Sequence, residues 1–188
     1  MDHPDESPAA MTLEQIYDQE ADFVWRMLRR LGVPEGDLPD TLQEVFLSVH
    51  RNLANFEWRC SLTTWLFTIC RSIARDHRRR VHHRHEVQDD GEIETQVDLR
   101  SDVHGAAESN ERLCVLESIL GTMTPEQRNV FVLFEIERMT GQEASEALSI
   151  PLGTVYSRLT LARKTFRQAL LRREMGEDSQ ALRAGGKP

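Results

Sequence analysis

Along most of the chain, hydrophobic positions recur with the period of an α-helix, and no stretch sustains the two-residue alternation of a half-buried strand. A first apolar stripe takes Leu13, Ile16, Tyr17, Val24, Met27, Leu28 and Leu31, and Gly32 and Pro34 close it. A second takes Leu42, Val45, Phe46, Val49 and Leu53. After the loop NFEWRCS, a third takes Leu62, Trp65, Leu66, Ile69 and Ile73, then runs on into RDHRRR. Amphipathic helices on short connections can bury one common core between them.

The pattern lapses from about residue 82 to residue 108. Glu86, Asp89, Asp90, Glu92, Glu94, Asp98, Asp102 and Glu108 stand there against Arg84 and Arg100, with few large apolar residues. So little apolar surface cannot offset the entropy of ordering, so a flexible acidic linker is expected. Its charge also suits it to shield basic helices when DNA is absent.

Periodicity returns at Leu113, Leu116, Ile119 and Leu120. Thr124-Pro125-Glu126-Gln127 is a capping box with proline at the first helical position, opening a helix with Val130, Phe131, Leu133, Phe134 and Ile136. Thr140-Gly141-Gln142-Glu143 is a second box, opening a short helix that ends near Leu148. Ser149 and Ile150 form a tight connection, and Pro151 starts the last helix. The expected fold is all-α, with two small helical domains at 11–81 and 109–174. The acidic linker 82–108 joins them, and unstructured tails at 1–10 and 175–188 flank them.

Composition supports small cores: 39% of the 188 residues are hydrophobic and 29% charged, against a globular average of about 45–50% apolar. No apolar run approaches the ~18 residues that a membrane span needs. The acidic start MDHPDESPAAMTLEQ lacks the apolar segment of a signal peptide. Cys60, Cys70 and Cys114 are odd in number and form no CxxC pair, which argues against a disulfide frame or zinc knuckle. A cytoplasmic protein with reduced thiols is expected.

Charge changes the picture more. The chain carries −8 overall, yet IPLGTVYSRLTLARKTFRQALLRR (150–173) holds Arg158, Arg163, Lys164, Arg167, Arg172 and Arg173 and no acid. A short capped helix, a tight turn and a longer basic helix outline a helix-turn-helix, whose second helix lies in the DNA major groove. On a helical wheel, Leu152, Val155, Leu159, Ala162, Phe166 and Leu170 share one side. Tyr156, Ser157, Thr160, Leu161, Lys164, Arg167 and Gln168 project from the other, free to meet bases and phosphates. Leu161 has no core to join on that side, and an apolar side chain in the groove can meet a thymine methyl.

Other chemistry is sparse. His77, His82, His83 and His85 lie among arginines without a fixed carboxylate partner on one helix face, so no metal site is expected. There is no P-loop, HExxH, GxSxG or nucleophile–base pair, so neither catalytic residues nor a cofactor are expected.

MTPEQRNVFVLFEIERMTGQEASEALSIPLGTVYSRLTLARKTFRQAL (123–170) resembles the C-terminal DNA-binding domain of sigma factors of bacterial RNA polymerase, above all the extracytoplasmic-function (ECF) subgroup of the sigma-70 family. DLPDTLQEVFLSVHRNLANFEWRCSLTTWLFTICRSIARDHRRR (37–80) resembles the other domain of that subgroup, in the right order and at the right spacing. The resemblance implies a factor that binds core RNA polymerase and directs promoter-specific initiation, with the polymerase performing the chemistry. A plain helix-turn-helix regulator acting without core polymerase is the alternative, and it would need neither a docking helix nor an aromatic loop.

Residue by residue, the resemblance implies that Asp40, Gln43, Glu44 and Phe46, in the pattern D-x-x-Q-E-x-F, dock on the polymerase clamp. It implies that Phe56, Trp58, Arg59, Cys60 and Ser61 of the loop, with Phe67, Arg71, Ser72, Arg75, Arg78 and Arg79 of the following helix, help to open the −10 element. The residue types suit that task, since unpaired bases need apolar or aromatic walls and phosphates need cations. Phe67 falls off the core stripe, toward the strand-binding side. Thr154, Tyr156, Ser157, Arg158, Thr160, Leu161, Lys164 and Arg167 would read the −35 element.

The chain departs from the family pattern at several positions. Ser72 replaces a common asparagine and Leu62 a common phenylalanine, while Tyr156 and Leu161 replace basic residues. Ala144 and Ala147 replace larger aliphatics, which implies looser packing of the supporting helix. With no sensing domain recognisable in the linker or tail, control from outside is expected, an anti-sigma factor being the partner for it.

Overall fold

The protein is described by a computed structural model, which describes residues 11–88 and 107–184. The expected tail at 1–10 and most of the expected linker lie outside those residues. The chain divides into two compact units, Met1–Val97 and Asp98–Pro188. Every described element is helical.

In the first unit, α1 (Leu13–Arg30), α2 (Leu38–Asn52) and α3 (Leu62–Gln88) each pack against the other two. Thr12 and Gln15 form a capping box at the start of α1, each side chain accepting the other's backbone N–H, at 3.2 and 2.9 Å. At its end Gly32 takes a left-handed φ of 89°. Gly32 N–H then reaches Arg29 O and Val33 N–H reaches Leu28 O, the closure for which glycine is favoured. Ile16, Val24, Met27, Leu28, Leu38, Val45, Val49, Leu66, Phe67 and Cys70 fill the space between the helices without solvent contact. Burying each large side chain stabilises the unit by roughly 1.5–3 kcal/mol.

Two sequence expectations fail in this core. Tyr17, placed on the α1 stripe, is exposed and lies across Phe46 with ring centroids 4.7 Å apart. The buried stripe of α3 is Leu66, Phe67, Cys70 and Ala74, not Leu66, Ile69 and Ile73. Small Cys70 and Ala74 let α3 come close to its neighbours. Ile69 and Ile73 are turned instead toward a groove between α2 and α3 that also holds Leu47 and Ser72.

In the second unit, α4 (Ala107–Gly121), α5 (Pro125–Phe131) and α6 (Gly141–Leu148) precede α7 (Leu152–Ala184). α7 extends beyond residue 174, the expected end of its domain, and α3 likewise continues past residue 81. Thr124 and Gln127 cap α5 reciprocally. α5 continues into a π-helical turn, Val132–Ile136, ended by Arg138 at φ 58°. Buried Arg128 donates from Nε to Leu120 O at 2.9 Å and from Nη2 to Gly121 O at 3.3 Å, satisfying carbonyls at the end of α4. Phe131 stacks on Phe166 with centroids 4.9 Å apart, joining α5 to α7.

Candidate nucleic-acid interface

The loop after α2 begins with a single 3-10 turn, Leu53–Asn55. Phe56 follows and stacks almost parallel on Trp65 of α3, at 4.4 Å and 12°, while Trp58 leans against it at 4.6 Å and 46°. Trp58 is left-handed, with φ 54°, a conformation that costs a bulky residue about 1–2 kcal/mol. Ring packing of this kind returns roughly 0.5–1.5 kcal/mol per pair, which holds the loop in that shape. Arg59 pairs with Glu57, Cys60 is half-buried, and the loop ends at Ser61. The Ser61 hydroxyl accepts Thr64 N–H at 3.1 Å and lies 2.7 Å from Thr64 Oγ1, capping α3.

Along α3, Arg75 and Arg79 are exposed and Arg71 is half-buried. Burial, and secondarily the charge of Arg75, pushes the Arg71 guanidinium down from its usual value. Arg75 also lies 3.6 Å from Asp76. Two residues expected to face a DNA strand do not. Phe67 is 0% exposed, because the actual stripe is rotated toward it. Arg78 donates from Nη1 to Leu31 O at 2.7 Å and so closes the end of α1.

On α2, Asp40 and Gln43 are exposed, and Glu44 lies on the same outer surface. Phe46 is 7% exposed. The expectation that it contacts a partner is therefore corrected: its ring anchors α2 beneath the surface. Glu44 accepts both arms of the Arg80 guanidinium, at 3.0 and 2.8 Å. One turn earlier, His77 Nε2 lies 3.0 Å from Asp37 Oδ2, and the buried Nδ1 has no protein partner. The carboxylate that the sequence could not supply to His77 thus comes from a different helix. Sequence reasoning also missed Trp65 as an aromatic platform, because its spacing matches the core stripe.

In the second unit the support for α7 is local and dense. Glu143 N–H donates to Thr140 Oγ1 at 3.3 Å, and Thr140 N–H donates back to Glu143 Oε2 at 2.7 Å. The Thr140 N–H and hydroxyl hold the Glu143 carboxyl below its usual range. Ser149 is left-handed, φ 54°, so Ile150 N–H returns to Ser145 O and the chain turns directly into α7. The Ser145 hydroxyl donates to Ile150 O at 2.6 Å. Ala144 and Ala147 are buried on α6. A methyl group on Gly141 would lie 2.5 Å from Tyr156 Oη.

α7 buries Val155, Leu159 and Ala162 and turns Tyr156, Ser157, Thr160, Leu161, Lys164 and Arg167 outward. Thr154 and Arg158 are half-buried. Tyr156 meets Phe134 edge-on at 6.0 Å. Arg163 is tied to Glu135 of the π-helical turn at 2.7 Å.

Two family models match the chain, described as Sigma-70 region 2 over residues 16–84 and Sigma-70, region 4 over residues 115–166. A relative from Mycobacterium tuberculosis, ECF RNA polymerase sigma factor SigC, is 30% identical over 151 residues, covering 80% of this chain and 79% of that protein. The ECF RNA polymerase sigma-E factor of Escherichia coli is 26% identical over 151 residues, covering 75% and 79%. Among solved structures, the sigma factor RpoE of Bartonella quintana with the anti-sigma factor NepR matches at TM-score 0.69 and 22% identity, over 84% of this chain and 95% of that one. CnrH, in complex with the cytosolic domain of CnrY, matches at TM-score 0.61 and 22% identity, over 87% and 92%.

Proposed function

The chain belongs to the ECF sigma factors of the sigma-70 family, which bind core RNA polymerase and direct promoter-specific initiation, and on that premise we propose how its residues divide the work. The reading is carried by one observation: an aromatic loop beside a row of arginines in the first unit, and a capped helix-turn-helix in the second, in that order.

Asp40, Gln43 and Glu44 form the polar face that meets basic residues of the polymerase clamp. Because Glu44 already holds Arg80, docking there exchanges one cation for another. Phe56, Trp58 and Trp65 offer ring faces to a base leaving the stack at the −10 element. Arg59, Arg71, Arg75 and Arg79 neutralise phosphates of the separated strand, and Ser61 and Ser72 flank them. α7 enters the major groove at the −35 element, while polymerase performs all covalent chemistry. The working domains are 11–81 and 109–174, joined by the acidic segment 82–108.

No helix among the described residues is long and apolar enough to cross a membrane. We place the protein in the cytoplasm, where polymerase and promoter meet. The sigma factor RpoE of Bartonella quintana forms a complex with the anti-sigma factor NepR, and we infer that a separate protein of that kind controls this one. Run-off transcription with core polymerase tests the assignment: specific start sites should appear only when the protein is added. A regulator acting without core polymerase would instead shift promoter fragments alone and leave core unbound in a pull-down.

A further inference from the structure

We propose that the upstream element read by this protein is built on A·T pairs, recognised through thymine methyl and adenine amino groups rather than through guanine. The inference rests on α7 being the groove-facing helix. In the major groove guanine shows only acceptors, so its reader must bring donors, most effectively an arginine fork. An A·T pair instead carries a methyl group, which no G·C pair has. Its adenine shows an amino donor where guanine shows an acceptor, the amino group of a G·C pair lying on the cytosine.

The outward face of α7 suits the second pattern. The Ser157 hydroxyl donates to Thr154 O at 3.0 Å and the Thr160 hydroxyl to Tyr156 O at 2.9 Å. With their hydrogens engaged in the helix, both oxygens offer lone pairs to an incoming base. Apolar groups flank them: the Tyr156 ring, held against Phe134, and Leu161, which is 53% exposed. The fork donors are engaged elsewhere or displaced. Arg163 gives Nε and Nη2 to Glu135, and Arg158 is half-buried at the edge of the face. Lys164 lies about one turn and Arg167 about two turns beyond Thr160, placed to meet phosphates without selecting bases.

The test uses the protein with core polymerase on promoters randomised at the upstream element. The selected sequence should be rich in A·T pairs. Each selected thymine is then replaced by deoxyuridine, which removes only the C5 methyl group. At one position this should weaken the complex roughly fourfold, the worth of one methyl group returned to water. Leu161→Ala, which leaves the core of the unit intact because Leu161 is exposed, should no longer sense that change. Lys164→Gln should weaken all sequences alike. A guanine-rich selected element, or the same deoxyuridine penalty for the wild type and Leu161→Ala, would overturn the inference and leave α7 as the reader. If no upstream preference emerged, the reading of α7 itself would fall, and the inference with it.

Discussion

The two surfaces proposed to meet DNA both expose arginine on a long helix, yet they are supported in different ways. In the first unit the loop is held by ring packing across Trp58, Phe56 and Trp65, with Trp58 in a left-handed conformation. In the second, reciprocal caps at Thr124–Gln127 and Thr140–Glu143 and the left-handed Ser149 fix the backbone up to the first turn of α7. The difference fits the tasks. A surface that accepts an unstacked base must exchange its own ring contacts for contacts with that base, so it is held by interactions of comparable strength. A surface that reads duplex DNA gains by holding its helix at a fixed angle before binding, because flexibility there would be lost again on association.

The contrast can be broken most severely at Phe67 and Phe56 of the first unit. Phe67→Ala should cost about 3–5 kcal/mol of folding stability, seen as faster amide exchange throughout α1 to α3 with α5 to α7 unaffected. Phe56→Ala, which loses two ring pairs, should lose about 1–3 kcal/mol of ring packing. It should nonetheless reduce promoter opening by about tenfold, measured by permanganate reactivity of unpaired thymines, since a base stack on an aromatic ring is worth roughly 1–3 kcal/mol. Equal folding losses in the two variants would dissolve the distinction between a core ring and a working ring.

A smaller effect is expected at the cap of α6. Thr140→Ala should destabilise the second unit by about 1 kcal/mol and weaken transcription from promoters that depend on the upstream element. It should also change the response to acid. Because Glu143 titrates below its ordinary 4.5 in the folded protein, its contribution is fully present above that value. The contribution is lost as pH falls through the lower folded value. Denaturant unfolding between neutral and acid pH should show this loss in the wild type, a smaller one in Thr140→Ala, which keeps the backbone N–H that holds the carboxylate, and none in Glu143→Gln.

The smallest effect belongs to the exposed pair on the docking side. Arg80→Gln should change stability by less than about 1 kcal/mol, and less still at high salt. By releasing Glu44 it should tighten binding to core polymerase by up to a few-fold in titrations at low salt. Weaker binding would mean that Arg80 positions Glu44 rather than competes for it.

Most of the second unit was legible in the sequence because its organising interactions are local. Each capping box spans four residues, and the turn before Pro151 follows directly from the end of α6. In the first unit the helices were legible but the phase of α3 was not. Judged by size, Ile69 and Ile73 look like core residues beside Cys70 and Ala74, yet close helix packing favours the small pair and turns the large pair outward. That rotation carried Phe67 inside and left the Trp65 ring available to Phe56.

By itself the sequence determined the capped helix starts, the close of α1 at Gly32 and the basic outward face of α7, all set by neighbours within about one or two turns. The tertiary structure alone decided which charges and rings remain available. Arg78 reaches Leu31 O, Arg80 reaches Glu44, His77 meets Asp37 and Arg163 meets Glu135, across 47, 36, 40 and 28 residues of chain respectively. Periodicity assigns a residue to a helix face, but a contact between helices depends on how closely and at what angle they pack, and side-chain volumes across the whole interface set that angle.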